Sequence, residues 1–367
     1  MSRPDVFRQR VLDLFKADGR HLTWTRLGDD HVASAESGAI IEPRDAYFTI
    51  RLTEMFLGRS RTLWRRFYPV VHAFSTYLGA EEHAVVGPGQ LWTVTEAGLD
   101  RVISLNFRIA GPTPFIGGDL SLVVGLYSVP GDDAAKTLVE TVSALAGLAA
   151  LPANQVTSMA QVIKTGIDGV FRLSSTRLQL GVNDTFVASQ PLCSGFHVGI
   201  AAAPTDIDLD TLWLRGGRLV IGRDPISGVA FTGCDYMVIQ IERSERLPNW
   251  PALGGMTAFQ HRFNALLSDT LLTVDEKRGR LRSLWREFQE ELLSNPHLTQ
   301  GDAAQIAIDV AYDLKARLAA LESGDPFETK AWGSETTVTR SATTIDFTEV
   351  SAYPEVPAYP LLLMPPF

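Results

Sequence analysis

Apolar positions along this chain repeat with two different periods, and the change from one to the other divides it. Residues 102–109, 120–129, 177–187, 212–221 and 236–241 carry the apolar and β-branched character of strands. The run 120–129 is almost wholly apolar, which predicts a central strand buried on both faces. Residues 46–52 alternate: Phe48, Ile50 and Leu52 face one way and Tyr47, Thr49 and Arg51 the other, the pattern of a half-buried strand. From about residue 251 the period becomes helical. Leu281, Leu284, Trp285, Phe288 and Leu292 fall on one helical face. Ile306, Val310, Leu314, Leu318 and Leu321 fall on another, after a cap at Thr299 with Asp302 three residues on.

Between the strands lies a predicted helical hairpin, residues 132–173, whose two small-residue helices break at Pro152. Its start, Pro130-Gly131-Asp132-Asp133, sets carboxylates at the positive end of the helix dipole. The first helix carries Leu138, Val142 and Leu145, the second Val156, Met159, Ile163, Ile167 and Val170. Near the N-terminus, residues 4–17 place Phe7, Val11, Leu14 and Phe15 on one helical face, and a short strand follows over 21–27. Residues 53–68 read as a helix ending before Pro69.

These elements predict an α+β protein. A central mixed or antiparallel sheet, or a sandwich, holds the hairpin as an insert, and helices and an extended tail follow. The organisation expected is an α+β region over 1–100, a β-rich region over 101–250, a helical region over 251–324 and a proline- and threonine-rich tail over 325–367. Gly87-Pro88-Gly89 marks the first boundary as a turn, and Gly324-Asp325-Pro326 stops the last helix.

Composition narrows the function. The chain has 367 residues, 45% hydrophobic and 20% charged, with a formal net charge of −9, which disfavours binding to phosphate backbones and to anionic lipid. Cys193 and Cys234, the two cysteines, cannot form a disulfide framework, and so few thiols fit a reducing, cytoplasmic setting. Arginine exceeds lysine and alanine is abundant, which is associated with a GC-rich bacterial genome. No run of about 18 apolar residues predicts a membrane span, and the N-terminus lacks the apolar core of a signal peptide.

The chemistry-bearing residues do not assemble into a known motif. Asp206, Asp208 and Asp210 start like a calcium loop, but Thr211 and Gly217 stand where glycine and glutamate belong. Ile207 and Leu209 alternate with these acids, so an edge strand with a solvated acidic face is the expectation and metal ligation a weak candidate. Cys193 and His197 bracket Ser194-Gly195-Phe196 without a third orienting group, and a buried inert thiol beside a surface imidazole is expected. Glu81-Glu82-His83, with His72 upstream, lacks zinc-site spacing and reads as a solvated turn. Arg59, Arg61, Arg65 and Arg66 around Trp64, and the group Lys277, Arg278, Arg280 and Arg282, read as locally paired charge on helices. No phosphate loop, dinucleotide fingerprint or nucleophile elbow occurs, and no cofactor is predicted.

The tail is the best candidate for partner binding. Tyr353, Tyr359, Leu361, Leu362, Leu363, Met364 and Phe367 are interleaved with prolines, a composition that docks extended into a groove because it builds no core of its own. The reading favoured is a non-enzymatic bacterial interaction or assembly protein that uses its C-terminal helices and tail for self-association or partner binding. Two alternatives stand beside it. One is a membrane-active effector that releases the 132–173 hairpin. The other is a hydrolase whose site is assembled from distant residues such as the Asp206–Asp210 region or Cys193 and His197.

Overall fold

A computed structural model of the chain describes residues 22–32, 37–58, 61–62, 65–86, 103–130 and 177–323. The predicted helix over 4–17, the 132–173 hairpin, the Gly87-Pro88-Gly89 turn and the 325–367 tail lie outside these residues. The fold is α+β, with several antiparallel sheets followed by three C-terminal helices. The described residues divide into two compact units, one holding the strands and the other residues 44–46 with residues 245–323.

In the first unit, β1 (Thr23–Arg26), β2 (Tyr47–Phe56), β6 (Ile103–Pro114), β9 (Gly195–Ile200) and β13 (Tyr236–Ser244) form a first sheet in the order β1-β9-β13-β2-β6. A second sheet joins β3 (Arg61–Thr62), β4 (Arg65–Tyr77), β7 (Leu120–Pro130) and β8 (Arg177–Phe186) in that order, with β5 (Ala80–Val86) also paired to β4. A small third sheet comprises β10 (Leu212–Arg215), β11 (Arg218–Ile221) and β12 (Val229–Ala230). Every pairing between these strands is antiparallel.

The first sheet is the middle of three layers. On one face, Phe48 meets Tyr77 edge-on with centroids 5.0 Å apart, and Phe186 meets His197 at 5.2 Å. A Cβ on Gly199 would stand 3.3 Å from Leu180 and Val182, so glycine permits the close approach of the second sheet. On the other face, Phe196, Val198, Ile200, Tyr236 and Val238 share a core with Leu212, Leu214, Leu219 and Phe231 of the third sheet and its flanks. β7 is buried from Leu122 to Val129, as its continuous apolar run predicts.

Two expectations for the N-terminal half are corrected. β2 is not half-buried: Tyr47, Phe48, Thr49, Ile50 and Leu52 are all buried and Arg51 alone among residues 47–52 is partly exposed, because both faces of its sheet are covered. The helix over 53–68 does not form. Thr53–Phe56 extend β2 against Tyr236–Val238 of β13, and Arg65 opens β4. Pairing with a strand far along the chain overrides the local helical spacing. Pro69 sits within β4 beyond its last pair with β5, Val71↔Val86, where a missing donor costs least.

The second unit is a three-helix array: α1 (Met256–Ser268), α2 (Val274–Ser294) and α3 (Gln300–Ser323). Thr273 and Glu276 close a capping box on α2. Thr299 accepts the Asp302 N–H at 3.1 Å at the start of α3, the cap the sequence predicts. The predicted stripes point inward: Leu281, Leu284, Trp285, Phe288 and Leu292 are buried, with Ile306, Val310, Leu314 and Leu318, while Leu321, the last of the second stripe, is only partly covered. Phe288 lies edge-on to Phe263 at 5.7 Å. Truncating so central a ring removes transfer energy and leaves a cavity. Phe288→Ala is expected to lower the stability of the helical unit by about 3–5 kcal/mol, read as an earlier loss of helical circular dichroism in denaturant titrations of the full chain.

Candidate functional site

The residues singled out by sequence are not brought together. Asp206 and Asp210 lie in two 3-10 turns, Pro204–Asp206 and Leu209–Thr211, rather than in the edge strand expected. Asp208 caps the second turn, its Oδ1 accepting the Asp210 N–H at 3.2 Å, and Asp206 accepts the Thr205 hydroxyl. Ile207 and Leu209 do turn toward the core, which keeps the carboxylates outward. Among the described residues no group of three or more histidine, cysteine or acidic side chains is arranged to hold a metal ion.

Cys193 and His197 exchange the environments expected of them. His197 is buried, stacked on Trp24 at 5.3 Å, and Trp24 is held by its indole N–H donating to Asp184 at 2.8 Å. Burial lowers the imidazole pKa from 6.5 to about 4; the Asp184 carboxylate opposes this and Arg26 reinforces it. Cys193 is partly exposed, with its thiol 3.7 Å from the Pro191 carbonyl. Four residues of extended chain span about 13 Å, far beyond the reach of a thiol–imidazole hydrogen bond.

Residues 81–83 form part of β5 rather than a solvated turn. Glu82 accepts from the Gly111 N–H and the Thr113 hydroxyl, so its carboxylate ties β5 to the end of β6. The arginine clusters are also relocated. Arg61 lies in β3 and Arg65 and Arg66 in β4, not on a helix; Arg59 and Trp64 lie outside the described residues. On α2, Arg278 pairs with Asp275 and Glu322, as local charge pairing predicts. Lys277 is buried and donates to the Leu267 carbonyl at 2.7 Å, where a cation suits the C-terminal end of α1.

Sequence reasoning missed the most perturbed carboxyl. Glu54 of β2 is fully buried in the layer between the first and third sheets, beside Phe56, Val238 and Leu219. Its Oε2 accepts the Leu219 N–H at 2.6 Å, which ties β2 to β11. Glu54 Oε1 and the nearby Tyr236 hydroxyl have no hydrogen-bond partner of normal geometry. Burial pushes the carboxyl from 4.5 to about 7, against the pull of the Leu219 N–H, the Tyr236 hydroxyl and Arg218. A lone acid in the strand 47–56 offered no signal, because its burial depends on β11, distant in sequence.

Buried imidazole and carboxyl groups here serve the architecture, each committed to ring stacking or to a backbone donor. The large apolar residues left outside are the other candidate feature. On α3, Ile308 and Tyr312 are 43% and 58% exposed and stand one turn apart on the face away from the helical core. No helix among the described residues is long and apolar enough to cross a membrane. Comparison with protein-family models gives no match, and neither does comparison with curated proteins.

Glu54 makes stability depend on pH. Its folded pKa lies above the unfolded value, so its contribution is fully present below about pH 4.5 and is lost as pH rises through about 7. Glu54→Gln keeps an acceptor for Leu219 and removes the ionisation. The variant is expected to match the parent chain at pH 4 and to exceed it by about 3 kcal/mol at pH 8, measured by chemical denaturation across that range.

Proposed function

We propose that this is a non-enzymatic interaction or assembly protein of the bacterial cytoplasm. Its C-terminal helices and proline-rich tail hold a second copy or a protein partner. The observation that carries the reading is on α3. One face of that helix is committed to the core through Ile306, Val310, Leu314 and Leu318, while Ile308 on the opposite side is 43% exposed. A helix apolar on two sides is suited to a second contact. The tail begins just beyond α3, so Tyr353, Tyr359, Leu361, Leu362, Leu363, Met364 and Phe367 are tethered to that unit. The composition supports a reducing compartment and no general affinity for nucleic acid.

One observation favours the membrane-active reading as second choice. β7 and β8 are directly paired up to Ser128↔Arg177, so the chain leaves and re-enters the same hairpin end across residues 131–176. The hydrogen bonds of that ladder lie outside the intervening segment. For the hydrolase reading, the candidates Cys193 and His197 are separated by about 13 Å of extended chain.

Light scattering on the full chain, on a chain ending at Gly324 and on Ile308→Asp/Tyr312→Asp tests the first choice. A discrete oligomer in the full chain that falls in mass in either variant is expected; monomers throughout would remove the self-association arm. Dye leakage from liposomes, before and after limited proteolysis, tests the second, which fails if neither sample leaks.

A further inference from the structure

At the end of the second sheet, three adjacent strands stop in a row. Tyr77 of β4 pairs with Leu120 of β7, which pairs with Phe186 of β8. Leu78, Asp119 and Val187 are the next residues outward, so with strands about 4.8 Å apart they form one short rim. Ile116 stands on the loop that enters β7. Leu78, Ile116 and Val187 are 57%, 56% and 41% exposed.

This rim is fixed rather than loose. The Tyr77 hydroxyl accepts the Ile116 N–H at 2.7 Å and donates to the Gly117 carbonyl at 3.0 Å. Asp119 Oδ1 accepts the Ala188 N–H at 2.7 Å, which joins the β8 exit to the β6–β7 loop. A Cβ on Gly118 would stand 3.1 Å from Leu78 Cδ2, so the first two loops touch.

Leu78 is the anomalous residue. It and Gly79 make the two-residue turn between Tyr77 and Ala80, with φ of 50° and 80°. Positive φ at both positions is the pattern of a type I′ turn, where asparagine followed by glycine is preferred. Leucine is disfavoured there by its backbone conformation and again by its exposure. The turn itself therefore favours asparagine over leucine, and strain retained at a largely exposed position points to function.

We propose that this rim is a docking surface for a protein partner presenting an apolar pocket bordered by lysine or arginine. Charge makes the choice of partner. Residues 77–82, 115–120 and 186–192 contain no lysine or arginine, while Glu82 and Asp119 are acidic. Anionic lipid needs basic residues at the contact, and lipid anchors use exposed aromatics, but Tyr77 and Phe115 are buried and Phe186, partly exposed, packs edge-on against His197. An apolar centre with an acidic rim complements an apolar and basic surface. The surface lies on the sheet unit and is independent of the reading given to α3.

The test uses the full chain and a phage-displayed random peptide library as probe, with Leu78→Asn/Ile116→Ser/Val187→Thr as the altered rim. Peptides selected on the parent chain are expected to combine apolar residues with lysine or arginine, and to bind the altered rim at least tenfold more weakly. Leu78→Asn alone is expected to melt at the same or a higher temperature, because asparagine suits the turn. Peptides that bind both chains equally, or a selection that yields none, overturn the proposal. So does a lower melting temperature for Leu78→Asn, which would make the leucine structural. Cosedimentation of the parent chain, but not the altered rim, with phosphatidylcholine vesicles containing phosphatidylglycerol would assign the rim to lipid and overturn it as well.

Discussion

A sheet that is apolar on both faces has to be covered twice, and β13 with its neighbours β2 and β9 imposes that requirement on the whole sheet unit. Met237, Ile239 and Ile241 fall on one side of β13, and Tyr236 and Val238 on the other; all five are buried. The second sheet answers the first demand and the three short strands β10–β12 the other. At roughly 25 cal/mol for each Å² of apolar surface removed from water, these two layers supply the main driving force for ordering strands drawn from residues 23 to 244. Hydrogen bonds between strands fix the register, but burial decides which strands come together.

Double coverage also explains the unusual polar groups. A position on β2 that would face water in a two-layer protein faces the third sheet here, and Glu54 occupies it. An ionised carboxylate in such a layer is expensive unless paired, and the one backbone donor it has, Leu219 N–H, does not offset burial. On the opposite face, His197 is kept neutral by the cover that β8 and Trp24 provide. A buried acid and a buried base on opposite faces of one sheet cannot exchange protons with each other or meet a common substrate.

Much of the architecture was legible in sequence where the signal is local. The apolar run of β7, the 3.6-residue stripes of α2 and α3, and the Thr299 cap each depend on residues within a few turns of one another. Residues 53–68 misled because Leu57, Trp64 and Phe67 have helical spacing, while the partner that makes Thr53–Phe56 a strand is β13, well over a hundred residues away. The exposures of Cys193 and His197 differ from the sequence expectation for the same reason: the cover over His197 comes from Trp24 and Phe186, neither adjacent to it in sequence. Alternation around Asp206–Asp210 correctly separated inward Ile207 and Leu209 from outward acids, yet it does not distinguish a strand from successive 3-10 turns. Glu54 was invisible because a single glutamate in a strand carries no mark of which layer will cover it.

The contrast between Leu78 and Gly79 shows how local preference and surface chemistry can disagree within one turn. Both residues hold positive φ, and glycine does so freely. A left-handed conformation costs leucine on the order of 1–2 kcal/mol, and a side chain 57% exposed returns only part of that through burial. Across the rim, Ile116 and Val187 are exposed as well, while the Tyr77 hydroxyl and Asp119 are committed to holding the loops that carry them. A chain that covers its main sheet twice has ample apolar residues inside. The same three loops are held rigid around aliphatic side chains that remain largely outside.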